Sequence, residues 1–252
     1  MRTSDDRDDD QPQPRLAVLI DADNAQAAVI EPLLAEVARY GESTVRRIYG
    51  DFTSTRSASW KKVLQLHAIK PVQQFAYTTG KNATDSALII DAMDLLYTRR
   101  FDGFCLVTSD SDFTGLAMRL REAGLTVFGF GERKTPDAFR KACHRFVYTD
   151  LLEPVSEEQP KQQKSSQAPA AKKPKVPKSF LLAALDETSD DSGWANLGAF
   201  GSYLNNVQPD FDPRTYGFRK LSDLIRSRTD LFVIEERASE RSSQPILFVR
   251  AK

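Results

Sequence analysis

Two short apolar runs that break into acids constrain this chain most. Leu16–Ile20 ends in Asp21-Ala22-Asp23-Asn24, and Phe104–Val107 ends in Thr108-Ser109-Asp110-Ser111-Asp112. A short apolar run bounded by polar residues reads as a strand buried on both faces. A helix-like pattern follows each run: Ala28, Leu33, Leu34, Val37 and Ala38 after the first, Phe113 to Leu120 after the second. In open parallel α/β sheets the ligand crevice lies at the carboxyl ends of the strands. Acids at two such ends therefore point to a candidate site.

The rest of the first half continues the alternation. Val45–Tyr49, Val72–Tyr77, Leu125–Phe130 and Phe146–Tyr148 read as strands. Trp60–His67, about 85–98, 113–123 with its stop at Gly124, and Ala138–Cys143 read as helices, and Thr78–Thr84 as a polar loop. This alternation predicts an α/β fold, a parallel sheet with helices on both faces, over residues 15–152. Residues 1–14 are acidic, polar and Pro-containing, which predicts disorder. Over 153–178 Pro, Gln, Ser, Ala and Lys dominate without periodicity, which predicts a flexible linker. Its lysines either track phosphates or only solvate it. Order returns over 179–252. Phe180–Leu185, Leu197–Val207 and Leu221–Ser227 read as helices, Asp190–Ser192 as a turn, and Phe232–Ile234 with Ile246–Val249 as a hairpin. Three short helices and a hairpin suggest a small winged-helix-like α+β domain.

Composition narrows the setting. Lys+Arg and Asp+Glu balance at 35 each, but the charges are unevenly placed. The two cysteines, Cys105 and Cys143, form no CxxC pair, which argues against structural zinc. Cys105 sits in an apolar strand and reads as a small buried hydrophobe. The first residues are Asp-rich rather than basic and apolar, and no apolar run approaches a membrane span. The expected setting is the cytoplasm, away from membranes. Nothing in the sequence sets an oligomeric state.

A third acid belongs with the strand-end pairs. In a helix starting near Thr84, Asp85 shares a face with Leu88, Ile89 and Ala92, the face that should pack on the sheet. Asp85 then lies near the strand ends unless it serves only as an N-cap. Asp94 falls opposite, as a solvated acid, and Asp91 lies on the flank. With strands one and four adjacent, Asp21, Asp110 and Asp112 face Asp85 across the crevice. Carboxylates gathered this closely need protons or a cation. Mg²⁺ or Mn²⁺ fits, since hard ions take oxygen ligands. The chemistry suggested is metal-assisted phosphodiester hydrolysis. Asn24, Thr108 and Ser109 are candidates to orient water or phosphate, and Lys81 to contact the substrate phosphate. Arg46, Arg47, Arg56, Lys61 and Lys62 either guide a phosphate-bearing substrate strand or are ordinary solvated charges.

These residues carry a resemblance. Leu19-Ile20-Asp21-Ala22-Asp23-Asn24, Gly80-Lys81-Asn82-Ala83-Thr84-Asp85 with Asp91, and Thr108-Ser109-Asp110-Ser111-Asp112-Phe113 with Gly124 and Val127 resemble a NYN domain of the LabA-like bacterial type. The resemblance implies a PIN-like (Rossmannoid) fold and a metal-dependent ribonuclease site at Asp21, Asp85, Asp110 and Asp112, with Asn24 in the first motif. Asp23 stands where many relatives have Gly or another acid, and Lys81-Asn82 replaces a common Lys-Gly step.

Trp194, Leu197, Gly198, Tyr203-Leu204, Phe211-Asp212-Pro213 and Tyr216-Gly217-Phe218-Arg219-Lys220-Leu221 are similar to an OST-HTH (LOTUS) domain, a family associated with RNA binding. Arg214, Arg219, Lys220, Arg226 and Arg228 form a basic cluster that could hold phosphates. Tyr216 and Phe218 either stack on bases or pack on Leu221 and Leu224. The partner expected here is RNA or a protein.

Three functions follow for test: a Mg²⁺- or Mn²⁺-dependent endoribonuclease, a non-catalytic RNA- or protein-binding adaptor, and a phosphatase. The last rests on Asp21-Ala22-Asp23, which matches the DxD of haloacid-dehalogenase-like phosphatases. That fold wants separate Ser/Thr and Lys motifs, whereas Thr108-Ser109 here abuts Asp110.

Overall fold

The structure, a computed structural model, describes residues 12–53, 58–75, 83–152, 174, 176–237 and 245–252. The expectations for residues 1–11, for Arg56 and Lys81, and for nearly all of the 153–178 linker lie outside the described residues. The described residues fall into two compact units.

The N-terminal part of the chain alternates strand and helix. Its order is β1 (Arg15–Asp21), α1 (Ile30–Val37), β2 (Glu42–Gly50), α2 (Ala58–Leu66), β3 (Lys70–Gln73), α3 (Ala83–Tyr97), β4 (Gly103–Val107), α4 (Thr114–Glu122), β5 (Thr126–Gly131), α5 (Asp137–Ala142) and β6 (Arg145–Tyr148). The six strands form one sheet in the order β3-β2-β1-β4-β5-β6. Pairing is parallel from β3 through β5. The central strands β1 and β4 are buried along nearly their whole length, as unbroken apolar runs covered on both faces must be.

Helix positions follow from the same physics. In α3, Leu88, Ala92, Leu95 and Leu96 are buried at helical spacing, and this stripe packs on β1 and β2. Right-handed crossovers place α1 and α2 on one face of the sheet and α3, α4 and α5 on the other. Helix α4 stops where Gly124 adopts the left-handed conformation at φ 83°. Strand β3 begins earlier than its apolar residues suggest. Lys70 pairs with Arg47 and Pro71 with Ile48, whereas Phe75 lies 53% exposed beyond the strand. An edge strand tolerates Pro and needs little apolar content.

The second unit contains α6 (Lys178–Thr188), β7 (Trp194–Asn196), α7 (Leu197–Val207), α8 (Leu221–Ser227), β8 (Phe232–Arg237) and β9 (Ile246–Ala251). Its sheet is antiparallel in the order β7-β9-β8, around a core that includes Leu181, Phe200, Leu204, Leu224, Phe232 and Val249. The sequence pattern misses β7, because three residues show no periodicity. Asn196 caps α7 by accepting the N–H of Gly198 at 2.8 Å and of Ala199 at 3.2 Å. Among the described residues, no helix is long and apolar enough to cross a membrane.

Candidate active site

The chain winds from β1 outward to β3, then crosses back to β4 and winds the other way. Strands β1 and β4 are therefore neighbours whose following connections diverge, and a crevice opens at their carboxyl ends. Asp21 is the last residue of β1. It is 0% exposed, and both of its carboxylate oxygens accept hydrogen bonds. Oδ1 accepts the Asp23 N–H at 2.9 Å, and Oδ2 accepts from Asn24 Nδ2 at 2.8 Å and Thr108 Oγ1 at 2.9 Å. Burial raises its pKa, and the Asn24, Thr108 and Asp23 hydrogen bonds oppose that rise.

The other three acids form a separate group. Asp85 occupies the first turn of α3, and Asp110 and Asp112 follow β4. One carboxylate oxygen from each lies within 4.8 Å of the other two. Asp110 caps the 3₁₀ turn Ser111–Phe113 by accepting the Asp112 N–H at 3.0 Å, so the two acids are fixed to one another. Asp85 is pushed up to about 6, first by burial, then by the charges of Asp21, Asp110, Asp112 and Asp23. The four carboxylates expected from the sequence thus divide into a convergent trio and Asp21, whose oxygens accept three hydrogen bonds. Three convergent hard oxygen donors, one of them on an exposed residue, suit a cation that keeps some of its own water.

The remaining sequence candidates divide clearly. Asn24 and Thr108 hold Asp21, and Thr108 Oγ1 also accepts the Asp110 N–H at 3.2 Å. Ser109 is buried and accepts the Glu132 N–H at 2.9 Å. All three side chains are engaged within the protein, Asn24 and Thr108 with Asp21 and Ser109 with the backbone of Glu132. Asp91 is outside the trio: it accepts from Arg47 Nη1 and from the Tyr49 hydroxyl, which also takes Arg47 out of the exposed basic group. Arg46 is likewise tied down, donating to Ser43 Oγ at 2.8 Å and to the His67 carbonyl at 3.0 Å. Lys61 and Lys62 are exposed on α2.

In the second unit, Arg214 is ion-paired to the buried Asp212 at 2.7 Å. Tyr216 and Phe218 pack against the core, Tyr216 with its ring 5.9 Å from that of Phe211. Arg219 and Lys220 are exposed. A different set stands out on the outer face of the sheet. Arg237 lies over Trp194 at 5.0 Å and over Phe248 at 4.3 Å, and Arg250 lies over Trp194 at 4.8 Å. Alternation in Val233, Glu235 and Arg237 and in Ile246, Phe248 and Arg250 is the sequence signal that places these on one face.

A sheet of this strand order, with acids from α3 and from the turn after β4 gathered at its switch point, has the PIN-like (Rossmannoid) architecture. The chain belongs to the NYN domain family, whose model matches residues 15–153, and an OST-HTH/LOTUS domain model matches residues 172–244. No curated protein matches the chain. It is similar to the solution structure of an uncharacterized protein from Nitrosomonas europaea, 54% identical over 39% of this chain and 92% of that one, with a TM-score of 0.31. It also matches the crystal structure of a protein of unknown function from Vibrio parahaemolyticus, 16% identical over 59% and 96% of the two chains, with a TM-score of 0.47. A Chromobacterium violaceum solution structure matches at 32% identity over 32% and 84%, with a TM-score of 0.25.

Proposed function

We propose that this protein is a metal-dependent endoribonuclease that hydrolyses RNA phosphodiesters. The observation that carries this reading is the convergence of Asp85, Asp110 and Asp112 in front of the buried Asp21. Mg²⁺ or Mn²⁺ would be held by Asp85, Asp110 and Asp112, where it would lower the pKa of a bound water and stabilise charge on a phosphoryl oxygen. Asp21 adds negative charge that acts on Asp85, and Asn24 and Thr108 hold its carboxylate in place. Without a cation, Asp85 holds a proton up to about pH 6 and thereby limits repulsion in the trio. A phosphatase with Asp21 as nucleophile is disfavoured, because the side chain is 0% exposed and is held by Asn24 and Thr108.

The OST-HTH/LOTUS unit recruits the RNA in this reading. Trp194, Phe248 and Arg250, with Arg237 ion-paired to Glu235 at 3.0 Å, together offer stacking surfaces and charge, which single-stranded RNA binders combine. We place the protein in the cytoplasm, where its two free, buried cysteines need no oxidation.

The test is cleavage of labelled single-stranded and structured RNAs by the full chain with Mn²⁺, Mg²⁺ or EDTA, beside Asp110→Asn. Metal-dependent cutting that the variant loses is the expected result. RNA binding without cutting in any metal would refute the nuclease and favour an RNA- or protein-binding adaptor.

A further inference from the structure

The crevice has a second side. On the α1 face of the sheet, a cleft of ≈ 530 Å³ opens beside the acids. Its floor is the carboxyl ends of β4 and β5 at Val107 and Phe130, and Val29 forms a wall. Asn24 and Gln26 supply amides at its rim. The rim charges cancel in pairs: Arg133 with Asp150 at 3.1 Å and Lys134 with Glu132 at 3.1 Å. A charge-balanced cleft with an apolar floor does not select a phosphate. It suits a flat, neutral ring with hydrogen-bonding edges.

One rim residue is built for such a ring. The Arg133 guanidinium lies 4.0 Å from the centroid of the Tyr148 ring, and Asp150 accepts from its Nε. This holds the guanidinium plane in place while the side chain stays 43% exposed. A guanidinium plane held beside an aromatic ring at a cleft rim is a surface of the kind on which nucleobases stack.

The cleft is joined to the acids by two single residues. Asn24 lines it and donates to Asp21 at 2.8 Å. Glu132 lines it and donates its N–H to Ser109, the neighbour of Asp110. From these observations we infer that the cleft is a nucleobase pocket, which seats the base of a nucleotide adjoining the phosphate that is cut. The inference rests on the nuclease reading for the identity of that phosphate, and the base pocket itself is tested separately.

Two measurements on the full chain separate the claims. In the first, adenosine and uridine 5′-monophosphates and ribose 5-phosphate are titrated in EDTA and followed by NMR. The base-bearing probes should bind, ribose 5-phosphate should bind at least about tenfold more weakly, and Val29→Trp or Arg133→Ala should weaken the nucleotides about tenfold. Equal binding of ribose 5-phosphate, or nucleotide binding unaffected by both variants, overturns the pocket. In the second, RNA oligonucleotides made abasic at one position at a time are cleaved with Mn²⁺. One position beside the cut should lower kcat/KM about tenfold, and Val29→Trp should erase the difference between intact and abasic RNA. Cleavage insensitive to every abasic position overturns the pocket. Nucleotide binding of the expected pattern with no cleavage keeps the pocket and refutes the nuclease instead.

Discussion

Replacing Asp110 by Asn should make the metal-free protein more stable. The side chains have the same shape, and an Asn oxygen can still accept the Asp112 N–H that Oδ1 of Asp110 accepts at 3.0 Å. What changes is charge. Asp110 lies with an oxygen within 4.8 Å of both Asp85 and Asp112. Unit charges at that separation repel by about 3.5 kcal/mol at an effective dielectric of about 20, and by about 0.9 kcal/mol in bulk water. The trio is open to solvent at Asp112, so the lower figure governs. Two such pairs give roughly 1–2 kcal/mol, equivalent to about 3–6 °C in Tm for a chain of this size. Calorimetry of the full chain at pH 8 in EDTA measures it. Mn²⁺ at about a hundred times its Kd should then add about 2.7 kcal/mol to the wild-type protein and far less to the variant. The order of stability therefore reverses between EDTA and metal. A variant less stable in EDTA, or an equal gain from Mn²⁺ in both proteins, would refute the electrostatic reading of the trio.

Other consequences are open to direct measurement. Asp85 titrates at about 6 in the folded state against 3.8 ordinarily, so the folded chain binds more protons between those values, and metal-free stability should fall as pH rises through that window. Asp85→Asn should flatten that slope in denaturation curves taken from pH 4 to 7; an unchanged slope assigns it to other groups. Asp91→Ala leaves Arg47 and the buried Tyr49 hydroxyl without their carboxylate and should cost about 2–3 kcal/mol in denaturant unfolding. The stabilisation by Mn²⁺ should survive that change, and its loss would place Asp91 in the metal set after all. Trp194→Ala with Arg237→Ala should weaken single-stranded RNA binding about tenfold or more and reduce its salt dependence; filter binding that is unchanged removes the outer sheet face from the RNA path.

How far the sequence reaches depends on whether a residue's setting is local. The acids after β1 and β4 were legible because an apolar run breaking into carboxylates is visible within a few residues. Asp85 was legible because its face is set by Leu88 and Ala92, which are buried one and two turns on. The division between Asp21 and the trio was not legible. It depends on which carboxylate Thr108 and Asn24 satisfy, and Thr108 meets Asp21 across 87 positions of chain. The same limit hid the partners of Asp91, which lie on β2. Strand β3 was displaced because Phe75 suggested apolar content that an edge strand does not need. In the second unit, Tyr216 reads from sequence as either an RNA-stacking or a packing residue, and its position beside Phe211 decides for packing.

The joining of β1 to β4 has a consequence for when the site comes into being. Leu16 pairs with Gly103 and Ile20 with Val107, so Asp21 meets Thr108 only after everything between them has been made. During synthesis, a ribosome that has released β1, β2 and α3 has exposed only part of the acid set. The trio closes when the turn after β4 emerges and docks. Assembly of the trio is therefore timed to late translation of the domain, and a chain broken off before Asp110 carries only Asp85 of it.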